Sequence, residues 1–213
     1  HRRFLDMLTR ITSLLLVATV LLLAPDTTLA QDADKDGWIS LFNGKNLEGW
    51  KIGDAKQGKW KVEDGTIVAN GPRSHLFTIG EYKNFEFKAE VMTTPGSNSG
   101  IYFHTKYQAT GFPRIGHESQ VNVTHGDPVK TGSIYGVVKL YKTPAKDNTW
   151  WEQHIIVRGK NVVVKINGTT VLDYTEPTGT TGGRKFSSGS FALQAHDPKS
   201  VTYYRKLRVK PLK

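Results

Sequence analysis

Polar side chains that can bind a ligand or move a proton occupy alternate positions in four short runs of the sequence. Because alternate residues of a β-strand face opposite sides of a sheet, we expect the apolar residues of each run in a core and the polar ones on a common face. The polar residues are Tyr102 and His104, then Glu118, Gln120 and Asn122, then Tyr135 and Lys139, and finally Gln194 and His196. Amide, carboxylate and imidazole groups beside aromatic rings suit sugar hydroxyls and the flat face of a pyranose.

Glu118 is the one acid in a run that is otherwise neutral and polar, and it is therefore the first candidate for a general base. An ordinary polar surface remains the alternative for any single residue of the set. No G-x-S-x-G elbow, phosphate-binding loop, dinucleotide fingerprint or H-E-x-x-H motif occurs. The seven His are dispersed without the spacing of metal ligands, so we predict neither a metal nor another cofactor.

Short strands and tight turns must position these residues. Asp64-Gly65 and Asn167-Gly168 each separate two short apolar runs, which is a strong hairpin signal. In residues 85–91 apolar and charged residues alternate, as in a half-buried strand, and residues 133–140 are also predicted as a strand. No segment shows the 3.6-residue period of a helix. The sequence therefore predicts an all-β fold, an antiparallel sandwich or barrel.

Composition limits the class of protein. The 213 residues carry a formal net charge of +10, and 38% of them are hydrophobic, which suits one globular domain. The chain has no Cys, which excludes disulfides, thiol catalysis and cysteine-ligated metals. The Lys and Arg residues are spread along the chain without a long basic run and without a helix to enter a groove, so we expect no nucleic-acid partner.

The N-terminal segment is typical of export. Arg2, Arg3 and Arg10 precede a largely apolar run at residues 11–24, and small residues follow at Thr28 and Ala30. We predict a signal peptide over residues 1–30, with a periplasmic or extracellular bacterial protein that has no stable membrane insertion after cleavage. The apolar run is short for a membrane span, although a retained anchor is the alternative.

Residues 31–36 are predicted as a polar leader before a single domain at residues 37–213. The stretch beginning at Asp32 matches the opening of a calcium-binding EF-hand loop, but the twelfth position is Asn43 and not the required Glu. A polar leader is therefore favoured over a calcium site.

Several ordered motifs resemble those of a known family, the 3-keto-disaccharide hydrolase family, also described as a 3-keto-glucoside 1,2-lyase and hydratase domain. Together the motifs span nearly all of residues 37–210. They are GWISLFNGKNLEGW (37–50), W-x-V-E-D-G-T-I (60–67), SNSGIYFH (97–104), GHESQVNV (116–123), TGSIYG (131–136), the segment from Trp150 to Asn167-Gly168, and GSFALQAHDPKSVTYYRKLRVK (189–210). The resemblance implies a concanavalin A-like, jelly-roll sandwich and a secreted enzyme that cleaves glycosides oxidised at ring position 3.

Within that implied chemistry, side-chain type and strand face suggest individual roles. Glu118 is predicted as the base, with His196 or Tyr135 as the proton donor. The predicted substrate ligands are Tyr102, His104, Gln120, Lys139 and Gln194. The alternative is a non-catalytic, lectin-like carbohydrate-binding module, because the same sandwich supports both functions. Convergence of Glu118 and His196 on one pocket would favour the enzyme.

Overall fold

A computed structural model describes residues 33–213, and these residues fold into two packed antiparallel sheets. The predicted signal peptide and the first two residues of the predicted leader lie outside the described residues. Within residues 33–213 no helix forms that is long and apolar enough to cross a membrane. The strands are β1 (Ile39–Ser40), β2 (Trp50–Gly53), β3 (Lys59–Glu63), β4 (Thr66–Asn70), β5 (Ser74–Thr78), β6 (Phe85–Thr93), β7 (Asn98–Thr105), β8 (His117–Asn122), β9 (Trp151–Arg158), β10 (Asn161–Ile166), β11 (Thr169–Thr175), β12 (Ser190–Ala195) and β13 (Val201–Pro211).

The larger sheet has the strand order β11-β10-β9-β6-β13-β4-β3, with the short β1 added beside β13. The smaller sheet has the order β2-β5-β12-β7-β8. The core lies between the two sheets, where the rings of Phe87 and Phe191 approach to 4.6 Å between centroids. The predicted antiparallel sandwich is confirmed, and the burial of these apolar faces is what joins its layers.

Both predicted hairpins are present. Asp64-Gly65 joins β3 to β4, and Asn167-Gly168 joins β10 to β11. All four turn residues have positive φ angles between 48° and 80°, as a two-residue type I′ connection requires. Asn and Asp tolerate this backbone region better than other non-glycine residues, so the turn sequences explain why the chain reverses at these points.

The part of the predicted leader that is described forms a turn. The Asp34 carboxylate accepts hydrogen bonds from the backbone N–H groups of Asp36 and Trp38, both at 2.9 Å. The Asp34 N–H donates to the carbonyl of Trp38, which closes the turn. These residues therefore lead directly into β1.

Residues 133–140 are not a strand, and the prediction there is wrong. Ile134 pairs with Ser119 of β8 and with Val138, each through an isolated bridge. Between Ile134 and Val138 the chain turns through Gly136, which has a φ of 74°. Because a turn interrupts the segment, the alternation of faces does not continue through it.

Candidate active site

A polar cleft of about 220 Å³ opens on the outer face of the smaller sheet. Strands β7, β8 and β12 form its floor. Core residues such as Ile101, Val121 and Leu193 occupy the inward positions of these strands, so the alternate residues face outward into the cleft. Four connections, the ones that follow β7, β8, β11 and β12, add its walls. The lining residues are Asn98, Tyr102, Phe112, Glu118, Gln120, Asp127, Tyr135, Arg184, Gln194 and His196.

Glu118 lies at the centre of a buried hydrogen-bonded group. Tyr102 is its cross-strand partner, and the Tyr102 hydroxyl donates to Glu118 Oε2 at 2.8 Å. Gln194 of β12 in turn donates its amide to the Tyr102 hydroxyl at 3.0 Å. A Cβ at Gly100 would overlap the Glu118 carboxylate, so the absence of a side chain there makes room for it. Three adjacent strands thus fix the position of one carboxylate.

Burial sets the protonation of this group. Only 6% of Glu118 is exposed, and burial raises its pKa to about 7, against a smaller opposing effect of the Tyr102 hydrogen bond and the positive charge of Arg184. Burial and the charge of Glu118 raise the pKa of Tyr102 well above its ordinary value, so Tyr102 stays a donor. A carboxylate with a pKa near 7 can both take and return a proton at neutral pH.

Amide groups surround the carboxylate. The Gln120 amide lies 3.3 Å from Glu118 Oε1 when its nitrogen faces the carboxylate, and 3.2 Å from Asn98 Oδ1 in the opposite orientation. The Gln194 Oε1 atom is buried and has no hydrogen-bond partner among the described residues. Because a buried acceptor without a partner is costly, this atom is available for a ligand hydroxyl.

Tyr135 and Asp127 form one wall. The Tyr135 backbone N–H donates to the carbonyl of Glu118 at 2.8 Å, which holds Tyr135 against β8 although it does not lie on a strand. Its hydroxyl donates to Asp127 Oδ2 at 3.2 Å. Partial burial and the neighbouring Asp127 charge raise the pKa of Tyr135, so its hydroxyl keeps its proton at neutral pH.

His196 belongs to a second polar group at the edge of the cleft. Its Nδ1 lies 3.0 Å from Asp197 Oδ2, and His125 Nε2 lies 4.0 Å from the same oxygen. Ligand atoms of these three residues lie within 4.8 Å of one another, and of the residues described they are the one group with the composition and spacing of a metal site. No sequence spacing reveals this group, because His125 and His196 come from distant segments.

Two predicted ligands lie elsewhere. In β7 a bulge places both Phe103 and His104 opposite Phe191, and His104 has a φ of 53°. The extra residue reverses the expected face, so His104 is buried against Phe85 and its Nε2 donates to the carbonyl of Lys83 at 2.8 Å. Lys139 is exposed and does not line the cleft, because it follows the turn at Gly136 and does not belong to a strand.

The cleft brings together the other predicted residues, namely Tyr102, Glu118, Gln120, Tyr135, Gln194 and His196. Four lining residues were not predicted. Asn98 lies four residues before Tyr102 and shares its face, so extending the two-residue alternation of β7 back from Tyr102 would have identified it. Phe112, Asp127 and Arg184 come from connections between strands, where no periodic pattern indicates which way a side chain faces.

The sequence matches a known family over residues 37–210, the 3-keto-alpha-glucoside-1,2-lyase-like domain. The chain belongs to this family. A curated relative, the 3-keto-disaccharide hydrolase of Bacteroides thetaiotaomicron, is 30% identical over 69% of this chain. The match spans 61% of that relative's own length.

Solved structures agree with this placement. A candidate glycosyl hydrolase from Parabacteroides distasonis has a TM-score of 0.72 at 25% identity, over 84% of this chain and 95% of that one. A carbohydrate-binding module from Bacillus subtilis has a TM-score of 0.59 at 15% identity, over 76% of this chain and 95% of that one, and shows likeness of fold alone. The expected jelly-roll sandwich is thereby confirmed.

Proposed function

We propose that this protein is an exported enzyme that cleaves glycosides whose sugar ring is oxidised to a ketone at position 3. One observation carries the proposal: a buried Glu118 with a raised pKa shares a cleft with His196 and with Gln194 Oε1, which has no hydrogen-bond partner within residues 33–213. Family membership and the name of the Bacteroides relative support the same chemistry. Export rests on the composition of residues 1–30 and stays a prediction.

The first step is an elimination. A ketone at C3 acidifies the hydrogen on C2, and Glu118 takes that proton as the general base. The electron pair forms an enolate, and the C1–O bond to the leaving group then breaks while a C1–C2 double bond forms. His196 or Tyr135 gives a proton to the departing oxygen. The products are the free leaving group and an unsaturated 3-keto sugar.

The second step restores the sugar. A water oxygen adds to C1, the water gives up a proton to the residue that protonated the leaving group, and the proton held by Glu118 returns to C2. The net reaction is hydrolysis of the glycosidic bond, and both residues end in their starting protonation states. A Glu118 pKa of about 7 suits this cycle, because the same group must accept and then release a proton.

The remaining polar groups suit the charge that develops in this reaction. Arg184 donates Nη1 to the carbonyl of Gly116 at 2.9 Å, and its positive charge acts on Glu118 across the cleft. A fixed cation in a partly buried site stabilises an enolate more than it would in water. Gln120 and Gln194 offer amides for ring hydroxyls.

The second candidate is a carbohydrate-binding module without catalysis. The observation that favours it is the pair of exposed rings on the cleft, Phe112 and Tyr135, because rings of this kind stack on sugars in binding proteins and enzymes alike. Only the buried, pKa-shifted carboxylate separates the two candidates, since binding alone does not need a base.

Glu118→Gln tests the choice, because it keeps the shape and the Tyr102 hydrogen bond but removes the basicity. With a 3-keto-glucoside as substrate, we expect release of 3-keto-glucose to fall by about 10²–10⁴-fold while calorimetric binding persists. Glu63→Gln, at an exposed position on β3, is the matched control. Wild-type protein that binds the sugar without releasing product would establish the binding module. Equal turnover by both proteins would assign the base to another residue.

A further inference from the structure

We propose that Asp197 is a positioning residue that holds His196 with its Nε2 atom directed to the substrate and free to exchange a proton. The inference rests on the proposed function, in which His196 protonates the leaving group. It also selects His196 over Tyr135 for that step, because Tyr135 uses its hydroxyl to bond Asp127 at 3.2 Å. With Nδ1 bonded to Asp197, Nε2 is the ring nitrogen of His196 left to face a ligand.

The Asp197 carboxylate is held by four donors. Its Oδ1 accepts the backbone N–H groups of Lys199 at 2.9 Å and Ser200 at 3.2 Å. Its Oδ2 accepts the Ser200 hydroxyl at 2.6 Å and lies 3.0 Å from His196 Nδ1. Partial burial opposes the charge, but these hydrogen bonds outweigh it and the pKa of Asp197 lies below its ordinary value.

An ionised carboxylate only accepts hydrogen bonds, so the proton between Asp197 and His196 must sit on His196 Nδ1. The neutral ring then carries a lone pair on Nε2, and the protonated ring has an N–H there. The protonated ring is the form that donates to a leaving group, and in that form Nδ1–H still faces the Asp197 carboxylate. After donation, the same Nε2 atom can take a proton from the water that adds to C1.

His125 is the third member of the group with His196 and Asp197, and its hydrogen bonding does not fit that of a metal ligand. Its Nδ1 accepts the backbone N–H of Asp127 at 3.0 Å, so a neutral His125 ring carries its proton on Nε2, on the side of Asp197. A histidine that ligates a metal usually donates its other ring N–H to a carbonyl or carboxylate. His125 uses its other nitrogen as an acceptor, which is the opposite pattern. The group is therefore better explained as two histidines that share one carboxylate.

Asp197→Asn gives a specific expectation. The two backbone N–H groups at Oδ1 require an oxygen there, so the new amide nitrogen must occupy the Oδ2 position and face His196 Nδ1. His196 Nδ1 then has to accept, and the ring proton moves to Nε2. We expect turnover to fall by about 10²-fold or more with little change in KM, because binding does not depend on this tautomer.

Nitrogen-15 NMR of histidine-labelled protein supplies a readout that does not depend on turnover. We expect the neutral His196 ring to carry its proton on Nδ1 in the wild type and on Nε2 in Asp197→Asn. Asp36→Asn, at an exposed aspartate of the N-terminal turn, is the matched control and should match the wild type in both measurements.

Three results would overturn the inference. The first is a wild-type His196 with its proton on Nε2, which needs no variant and so remains decisive if Asp197→Asn fails to fold. The second is a folded Asp197→Asn with wild-type turnover. The third is loss of activity on chelation that Zn²⁺ or Mn²⁺ restores, which would make the group a metal site. An inactive wild-type protein would refute the proposed function instead, and the NMR result would still decide the tautomer.

Discussion

The two faces of β7 and β8 bury titratable groups in contrasting surroundings. On the cleft face Glu118 receives a hydrogen bond from Tyr102, and Gln194 supports that hydroxyl. On the core face His117 is stacked between the rings of Phe103 and Phe186, at centroid distances of 5.3 and 4.3 Å, and neither of its nitrogens has a partner in the described part of the chain. Adjacent residues of one strand thus occupy an organised polar site and an apolar stack.

Burial acts on both groups in the same way, by favouring the neutral form. It raises the pKa of Glu118 to about 7 and lowers the pKa of His117 to about 4. A shifted pKa therefore does not identify a functional residue by itself. What distinguishes Glu118 is the set of partners directed at it and its access to a cleft. The contributions of Glu118 and His117 to stability should therefore change in opposite directions with pH, and substitutions that remove each group should reveal this.

The largest expected effect comes from removing the space that Glu118 occupies. Gly100→Ala would place a methyl group in the carboxylate's position and displace it from Tyr102. We expect turnover to fall by about 10²–10⁴-fold, as for loss of the base, with an overpacking cost of about 1–3 kcal/mol in the free energy of unfolding. Activity assays with denaturant melts measure the two effects separately.

Gly126→Ala is the matched control, because its added Cβ would meet nothing within 4 Å and its φ is not positive. It should keep wild-type turnover. Wild-type turnover in a folded Gly100→Ala would mean that the carboxylate position does not matter, and the contrast between the two faces would lose its functional meaning.

The alternation of faces predicted much of this site from sequence. Tyr102, Glu118 and Gln194 reach the cleft because regular strands obey a two-residue period. His104 does not, because one extra residue in β7 reverses the face after Phe103, and a histidine in an apolar run gives no sign of a bulge. A single inserted residue thus decides whether a histidine belongs to the cleft or to the core.

Contributions from loops could not be predicted for a different reason. Tyr135 reaches the cleft although its predicted strand is absent, because its N–H bonds the carbonyl of Glu118. Arg184 and the pairing of His125 with His196 depend on how long connections fold back over the sheet. Local sequence patterns carry information about strand faces but not about such distant contacts.

The next effect concerns the stability cost of the cleft face. The folded pKa of Glu118, about 7, exceeds the ordinary value of 4.5, so the folded state binds the proton more tightly than the unfolded state. Stability from this group is present below pH 4.5 and is lost as the pH rises through 7. Glu118→Gln removes that loss, and we expect the free energy of unfolding of this variant to be about 3 kcal/mol larger than that of the wild type at pH 9.

Urea denaturation at pH 5 and pH 9 measures this difference, and Glu63→Gln serves again as the exposed control. The gain should be small at pH 5, where the wild-type carboxyl is largely protonated in the folded protein. An equal change at both pH values would attribute the effect to packing and not to the buried charge.

The smallest expected effect concerns His117 on the core face, whose contribution to stability changes with pH in the opposite direction to that of Glu118. The folded pKa of His117, about 4, lies below the ordinary value of 6.5, so its stabilising contribution is full above pH 6.5 and is lost as the pH falls toward 4. His117→Phe keeps a ring between Phe103 and Phe186 but cannot be protonated. We expect the free energy of unfolding of this variant, relative to that of the wild type, to be about 2 kcal/mol higher at pH 5 than at pH 8.

Urea denaturation at the two pH values separates titration from packing, since any packing change contributes equally to both. Turnover at neutral pH should stay near that of the wild type, because His117 does not line the cleft. A variant with the wild-type pH dependence would show that His117 is not the buried group that titrates, and the proposed opposition between the two faces of β8 would fail.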